Sequence, residues 1–398
     1  MFKLRVISFA VSCCVTGLAA ADPVVIDSGQ KATAALTTGF TVLSEPALSL
    51  WSTVDQTRRV AETALTLVSG ATTPAALLKK PAGITIPCAI SGSATAQLAR
   101  TFPRVLKLRW NACLYTDFDG YPRERNGSTE ITLLSDTFTP ERIAGIRQGS
   151  AGSDFTETRT IIDPEQNSYS TWSVNLRIVG LIPMVREFPR YGLFVGPYAF
   201  EMSGFYRGQS RYELPDPQEP TYESDSVQTY EYVIASGANA YSNSQTQLSE
   251  DLTLHWGTFE RTTQSTGWPA DTTRFSVQGL RVRSDSEFVN WTRADRVDGS
   301  IDYHWSEVFG PSCLSGEYRF KTVTPLSRSM FDGNGALTAG DLRINGSTRA
   351  QFFSAANTPP SLPVPQNGML AHVIVAGVGA FDHDVAGPFF LRQISGCW

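Results

Sequence analysis

Between residues 44 and 70 apolar side chains recur at helical spacing, with Leu50, Val54, Ala61, Leu65 and Val68 on one stripe and Asp55, Arg58, Arg59 and Glu62 on the opposite side. Ser44 is placed to cap this segment, Pro46 suits its first turn and Gly70 offers a left-handed stop, so the pattern predicts a helix over about 44–69. A helix with one apolar stripe packs on a sheet.

From about Pro81 onward the period shortens to two. Leu106–Trp110, Glu130–Leu134, Trp172–Val179, Val227–Ile234, Leu252–Phe259, Phe275–Val282, Tyr318–Val323 and His372–Phe381 are short, aromatic or β-branched, and several alternate polar with apolar. Turn dipeptides punctuate them: Asp119-Gly120, Asn126-Gly127, Asp298-Gly299, Asp332-Gly333 and Asn345-Gly346. The proline-rich stretch from Leu214 to Pro220 reads as an exposed loop. The predicted fold is mainly β, a large antiparallel assembly built as a sandwich or an extended sheet, with one N-terminal helix.

A faint repeat suggests how that assembly is divided. Cys88-Ala89-Ile90-Ser91-Gly92 precedes Asn126-Gly127-Ser128-Thr129, and Cys313-Leu314-Ser315-Gly316 precedes Asn345-Gly346-Ser347-Thr348. The expected organisation is an N-terminal region at 22–80, a first β unit at 81–150, a central antiparallel region at 151–297 and a C-terminal β unit at 298–398.

Residues 1–21 are a sorting signal in this reading. Lys3 and Arg5 precede an apolar run from Val6 to Leu18, and Ala19-Ala20-Ala21 supplies a small-residue cleavage site. Cys13 has too little apolar chain before it for a lipoprotein site, so soluble export to a periplasm or cell surface is the expectation. No other apolar run reaches membrane-spanning length. With 41% hydrophobic and 18% charged residues the chain has the composition of a folded protein, and its net charge of -5 with scattered basic residues excludes nucleic acid as the expected partner. Cys88, Cys113, Cys313 and Cys397 remain after signal removal. Loop closure favours the local bridges Cys88–Cys113 and Cys313–Cys397, each worth about 3 kcal/mol, and the absence of CxxC or CxxH spacing disfavours zinc.

Local chemistry is sparse. Asp332 to Asp341 resembles an EF-hand-type calcium loop, with Asp332, Asn334, Thr338 and Asp341 as the candidate ligands. Met330 stands where the first carboxylate belongs, so a hairpin turn is preferred and calcium is the one cofactor the residues admit. In Asp382-His383-Asp384 a strand would send both aspartates to one face and the histidine to the other. The pairs His255-Trp256 and His304-Trp305 split likewise, and no local nucleophile motif accompanies them. Phe390, Arg392, Ile394, Gly396 and Trp398 resemble the closing strand of an outer-membrane barrel, although Arg392 and Cys397 do not suit a lipid face.

The function expected from these features is that of an exported, non-catalytic binding or cell-envelope scaffold module, with an envelope component or glycan as partner. The alternatives are a secreted hydrolase, for example of glycans, whose site is assembled from distant residues, and an outer-membrane-associated barrel.

Overall fold

The computed structural model describes residues 23–116, 120–162, 167–181, 185–188, 192–195, 198–214, 222–241, 246–267, 270–306, 315–332, 335–388 and 391. The segments expected to form a sorting signal (1–21) and an exposed loop (215–220), together with Cys313, Cys397 and the alternating C-terminal residues, lie outside them.

The described chain opens on a 43-residue helix, α1 (Gly29–Ala71), and a short one, α2 (Pro74–Leu78). The predicted stripe of Leu50, Val54, Ala61, Leu65 and Val68 is buried. Both predicted ends are corrected. The cap is Ser28, whose hydroxyl accepts from the Lys31 amide at 3.2 Å, and Pro46 falls in the helix interior. Gly70 is helical, and the helix stops after Ala71 with the Thr72 amide bonded back to the Val68 carbonyl.

Residues 29–40 escaped the helical pattern because they are small rather than amphipathic. Closeness is the physical reason for their size. A Cβ on Gly39 would lie 2.9 Å from the Phe320 ring, and one on Gly29 would lie 2.6 Å from Phe381. Thr33 and Thr38 return their hydroxyls to the Gly29 and Ala34 carbonyls, which lets them be buried in the helix. Five consecutive residues, Ala32 to Leu36, are buried. Successive side chains step by about 100° round a helix, so this segment is covered on every side. Further along, Ser52, Arg59, Thr66, Ser69 and Gly70 are exposed, so the C-terminal half of α1 is open on one flank.

Among the described residues the cover is one antiparallel sheet of 17 strands. Its first members are β1 (Ile84–Pro87), β2 (Ser91–Leu98), β3 (Arg104–Thr116), β4 (Pro122–Leu133), β5 (Ile143–Gln148), β6 (Phe155–Ile162) and β7 (Asn167–Leu181). A separate hairpin of β8 (Val185–Phe188) and β9 (Gly192–Val195) follows. The long strands are β10 (Tyr198–Leu214), β11 (Tyr222–Tyr241), β12 (Gln247–Ser265), β13 (Asp271–Glu287), β14 (Thr292–Ser306) and β15 (Gly316–Ser329). The series ends with β16 (Leu337–Ile344), β17 (Thr348–Phe353), β18 (Met369–Val375) and β19 (Gly379–Val385).

Almost every strand pairs with its neighbours in sequence, so the sheet is a meander with β1 and β19 at its two ends. One position is shared. β5 pairs with one half of β4 and β7, and β6 pairs with the other half, so two short strands together fill a single place in the sheet. The three predicted β regions are thus one hydrogen-bonded surface, and the expected boundary at 297/298 falls inside β14.

Register shifts bend this sheet round the helix. They occur mid-strand at Gly204/Tyr206, Tyr230/Val233, Gln278/Arg281, Asp295/Asp298 and Thr322/Thr324, in five successive strand pairs apart from one uninterrupted pair, β12–β13. A row of bulges adds local twist and bend. Gly299 shows the constraint: at φ 133° it lies so close to the next strand that a Cβ would sit 2.5 Å from the Gly279 carbonyl oxygen.

Several predicted turns take other roles. Asp298-Gly299 and Asn126-Gly127 lie within β14 and β4, where their glycines serve irregular backbone rather than hairpins. Asn345 and Gly346, at φ 49° and 72°, do make the β16–β17 turn with the positive angles of a type I′ hairpin. The two Asn-Gly-Ser-Thr segments therefore occupy different structural positions. The predicted strand His372–Phe381 is a hairpin, β18 and β19, turning between Val375 and Gly379. No helix among the described residues is long and apolar enough to cross a membrane.

The Cys88–Cys113 disulfide is present and joins the end of β1 to β3 across 25 positions. Removing it in a Cys88→Ala/Cys113→Ala variant is expected to cost about 3.5 kcal/mol on the loop-entropy model, read as a lower urea midpoint. The same melts test the two kinds of glycine. Gly299→Ala is expected to destabilise by about 2–3 kcal/mol, whereas Gly70→Ala, helical with open space around it, is expected to stabilise by about 0.5–1 kcal/mol.

Candidate binding cleft

The inward face of β3, β4, β6 and β7 changes character along the strands. At one end it presents Leu106, Leu108, Ile131, Leu133, Leu176 and Ile178 to the core. At the other end the same face carries Tyr115, Arg123, Arg125, Glu157, Arg159 and Ser170. Strict alternation would put Trp110 and Tyr115 on opposite faces of β3. A bulge between Trp110 and Cys113, with Ala112 at φ 43°, shifts the phase and turns Cys113 and Tyr115 inward as well. The Ala112 amide is held by the Asn126 side chain at 2.7 Å.

The polar end faces the open flank of α1, and between them lies a cleft of about 670 Å³. A second cavity of about 220 Å³ shares Gln56, Arg123, Glu157, Arg159 and Ser170 with it and extends toward Trp172, Tyr206 and Ser210. Their combined extent is that of a small-molecule site.

Glu157 stands at the centre and is buried. Its Oε1 accepts from Arg123 Nη1 at 2.7 Å and from Gln56 Nε2 at 3.4 Å. Its Oε2 accepts from Arg125 Nε at 2.6 Å and from the Tyr115 hydroxyl at 2.9 Å. The Arg125 guanidinium lies 4.4 Å from the Tyr115 ring centroid and 5.4 Å from that of Trp110, which donates its own N–H to Thr129. Arg159 lies over Tyr121 at 5.0 Å.

On the helix side, buried Arg58 bridges Asp55 at 2.6 Å and Glu62 at 3.1 Å, and Arg59 also reaches Asp55. These i,i+3 and i,i+4 pairs fix the carboxylates that face the cleft.

Burial and charge act in opposite directions on the two glutamates. Burial pushes the Glu157 carboxyl up, but Arg125 and Arg123 outweigh it and hold the group below the usual carboxylate range. For Glu62 burial prevails over Arg58 and the carboxyl is raised. Burial also raises the Tyr115 phenol, so it remains a hydrogen-bond donor.

The residues singled out from the sequence lie elsewhere. Asp332 folds back on its own turn, its Oδ2 accepting from the Ala336 amide at 3.0 Å. Asp341 is buried in β16 and takes Arg349 on both oxygens, at 3.1 and 2.9 Å from Nε. Thr338 donates to the Ser327 carbonyl, and Asn334 lies outside the described residues. The described members of the proposed calcium loop are thus engaged with protein partners. Among the described residues no group of three or more His, Cys, Asp or Glu is arranged to hold a metal.

Asp382-His383-Asp384 splits as β alternation requires. His383 turns inward to Thr33 on α1 at 2.9 Å, while Asp382 meets His372 and Asp384 accepts from the Gln366 and Asn367 amides. His255 shares a 2.8 Å hydrogen bond with Ser236 at the surface of the sheet, away from the cleft. The cleft residues themselves carried no local motif. Alternation alone does not say which face of a strand is covered, so it does not single these polar positions out.

Glu157→Gln would leave two arginines beside an uncharged amide and is expected to destabilise by about 3–5 kcal/mol. The sign of the pH effect follows from the lowered carboxyl. Its contribution is present above the unfolded-state pKa of about 4.3 and is lost as pH falls through the lower folded value. Urea midpoints measured from neutral to acid pH should fall in the parent chain and show a weaker acid limb in Glu157→Gln. Comparison with known proteins returns no family model, no curated protein and no solved structure that matches this chain.

Proposed function

We propose that the protein is an exported, non-catalytic binding or cell-envelope scaffold module, and that the cleft between α1 and the β3–β7 end of the sheet receives its ligand. The observation that carries the reading is the state of Glu157. A buried carboxylate with four donors, held anionic by two arginines, orders a surface and is poorly placed to exchange protons or attack a substrate. The Cys88–Cys113 bridge supports an oxidising compartment. Charged pairs on exposed strand positions, such as Lys107–Glu130 and Arg281–Asp251, suit water and count against a lipid-facing barrel.

One observation favours the hydrolase as a second reading. The cleft holds two glutamates whose environments push them apart, Glu62 upward and Glu157 downward, as acid and carboxylate partners require. Electrophoresis of the purified chain through gels containing acidic or neutral polysaccharide, with a parallel reducing-end assay, separates the readings. Retardation without cleavage is expected. Cleavage that disappears in Glu62→Gln, or no retardation by any polysaccharide, would overturn the binding reading.

A further inference from the structure

The turn between β13 and β14 and the turn between β15 and β16 meet at their tips. Phe288, Val289, Asn290 and Trp291 make up the first, and Met330 and Phe331 open the second. Trp291 meets Phe288 edge-on at 6.0 Å and Phe331 at 4.8 Å, and the Met330 amide donates to the Trp291 carbonyl at 2.8 Å. The cluster is joined but not covered: Val289 is 64% exposed and Phe331 72%. Trp291 is held at φ 53°, a left-handed conformation that a bulky side chain rarely takes. Strain kept at an aromatic surface tip, where no core packing rewards it, points to a use for that tip.

The register fixes where these turns lie. Glu287 faces Thr292 and Thr292 faces Ser329, so both turns follow the last ladder pairs at one margin of the sheet. Followed from strand to strand, the β2–β3, β4–β5 and β17–β18 connections fall on the same margin. Each of them also exposes an apolar side chain: Phe102, Leu134 and Val364. The polar wall of the cleft lies at the opposite margin, beside the β3–β4 and β6–β7 connections.

Residues 288–291 and 329–331 carry no charge, and the charges that flank them in sequence, Glu287, Arg293, Arg328 and Asp332, are of both signs. An apolar tip backed by mixed charge matches the layers of a zwitterionic lipid surface, acyl chains beneath headgroups. Tryptophan suits that boundary, where its ring is buried and its N–H stays wet. A protein partner would have to supply a pocket shaped to these turns, whereas acyl chains close round them. We infer that the paired β13–β14 and β15–β16 tips insert into the headgroup boundary of a lipid bilayer and dock the protein peripherally, with its cleft turned away from the membrane. This rests on the envelope reading and names a lipid surface as the partner.

The test is flotation of the secreted chain with phosphatidylcholine vesicles at low and at high salt. Co-flotation is expected at both, because salt screens charges and leaves apolar insertion in place. Phe331→Ser is expected to weaken partitioning about tenfold, with no loss in melting temperature because the side chain is already exposed. Ile162→Ser is the control: that side chain is 73% exposed and stands at the cleft margin, so partitioning should not change. Absence of co-flotation, its loss at high salt, or an equal response to the two substitutions would overturn the inference. Polysaccharide retardation that persists in that case would leave the binding reading standing without the membrane.

Discussion

Covering helix α1 is the constraint on which the rest of the molecule depends. A helix buried on all sides needs a surface that comes at it from every direction, and a flat sheet covers one side only. Small residues at 29–40 bring the strands close, and mid-strand bulges let the sheet bend far enough to meet them. Phe320, Phe352 and Phe381, from three different strands, then close on a short length of helix, with Phe352 edge-on to Phe40 at 5.6 Å.

The same arrangement creates the cleft. Where the helix is no longer encircled, the inward face loses its apolar cover and its side chains become arginine, glutamate, tyrosine and serine. Charges in such a place are tolerable only as a network. Glu157 supplies the centre of that network, and the aromatic rings of Tyr115 and Trp110 hold Arg125 from its faces. The C-terminal half of α1 pairs its own arginines, Arg58 and Arg59, with its own carboxylates, Asp55 and Glu62.

Much of the fold was legible in the sequence, and little of the cleft was. Period-two segments such as Leu252–Phe259 and Phe275–Val282 are strands, and Leu50 to Val68 is a buried helical stripe, because burial of a repeating face leaves a repeating pattern. Residues 29–40 left none, since a helix covered all round has no polar side to alternate with. Gly377 and Gly379 split what looked like one apolar strand, and Asn126-Gly127 looked like a turn but lies inside a strand. Tyr115 faces the cleft through a bulge that composition does not announce. Arg125 and Glu157 sit 32 positions apart, and no local spacing links them.

The meeting of Thr33 with His383 joins positions 350 residues apart, at opposite ends of the described chain. A helix made first is therefore covered last. Until β19 is in place, the small-residue half of α1 has no lid, and the meander ends in an open edge at each stage of its growth. Contacts so distant in sequence carry a heavy loop-closure cost before they return any burial, which makes folding slow and couples it to completion of the chain. A chain truncated before β18 would keep most of its hairpins and lose the enclosure that organises them, leaving exposed strand edges of the kind that pair with other molecules.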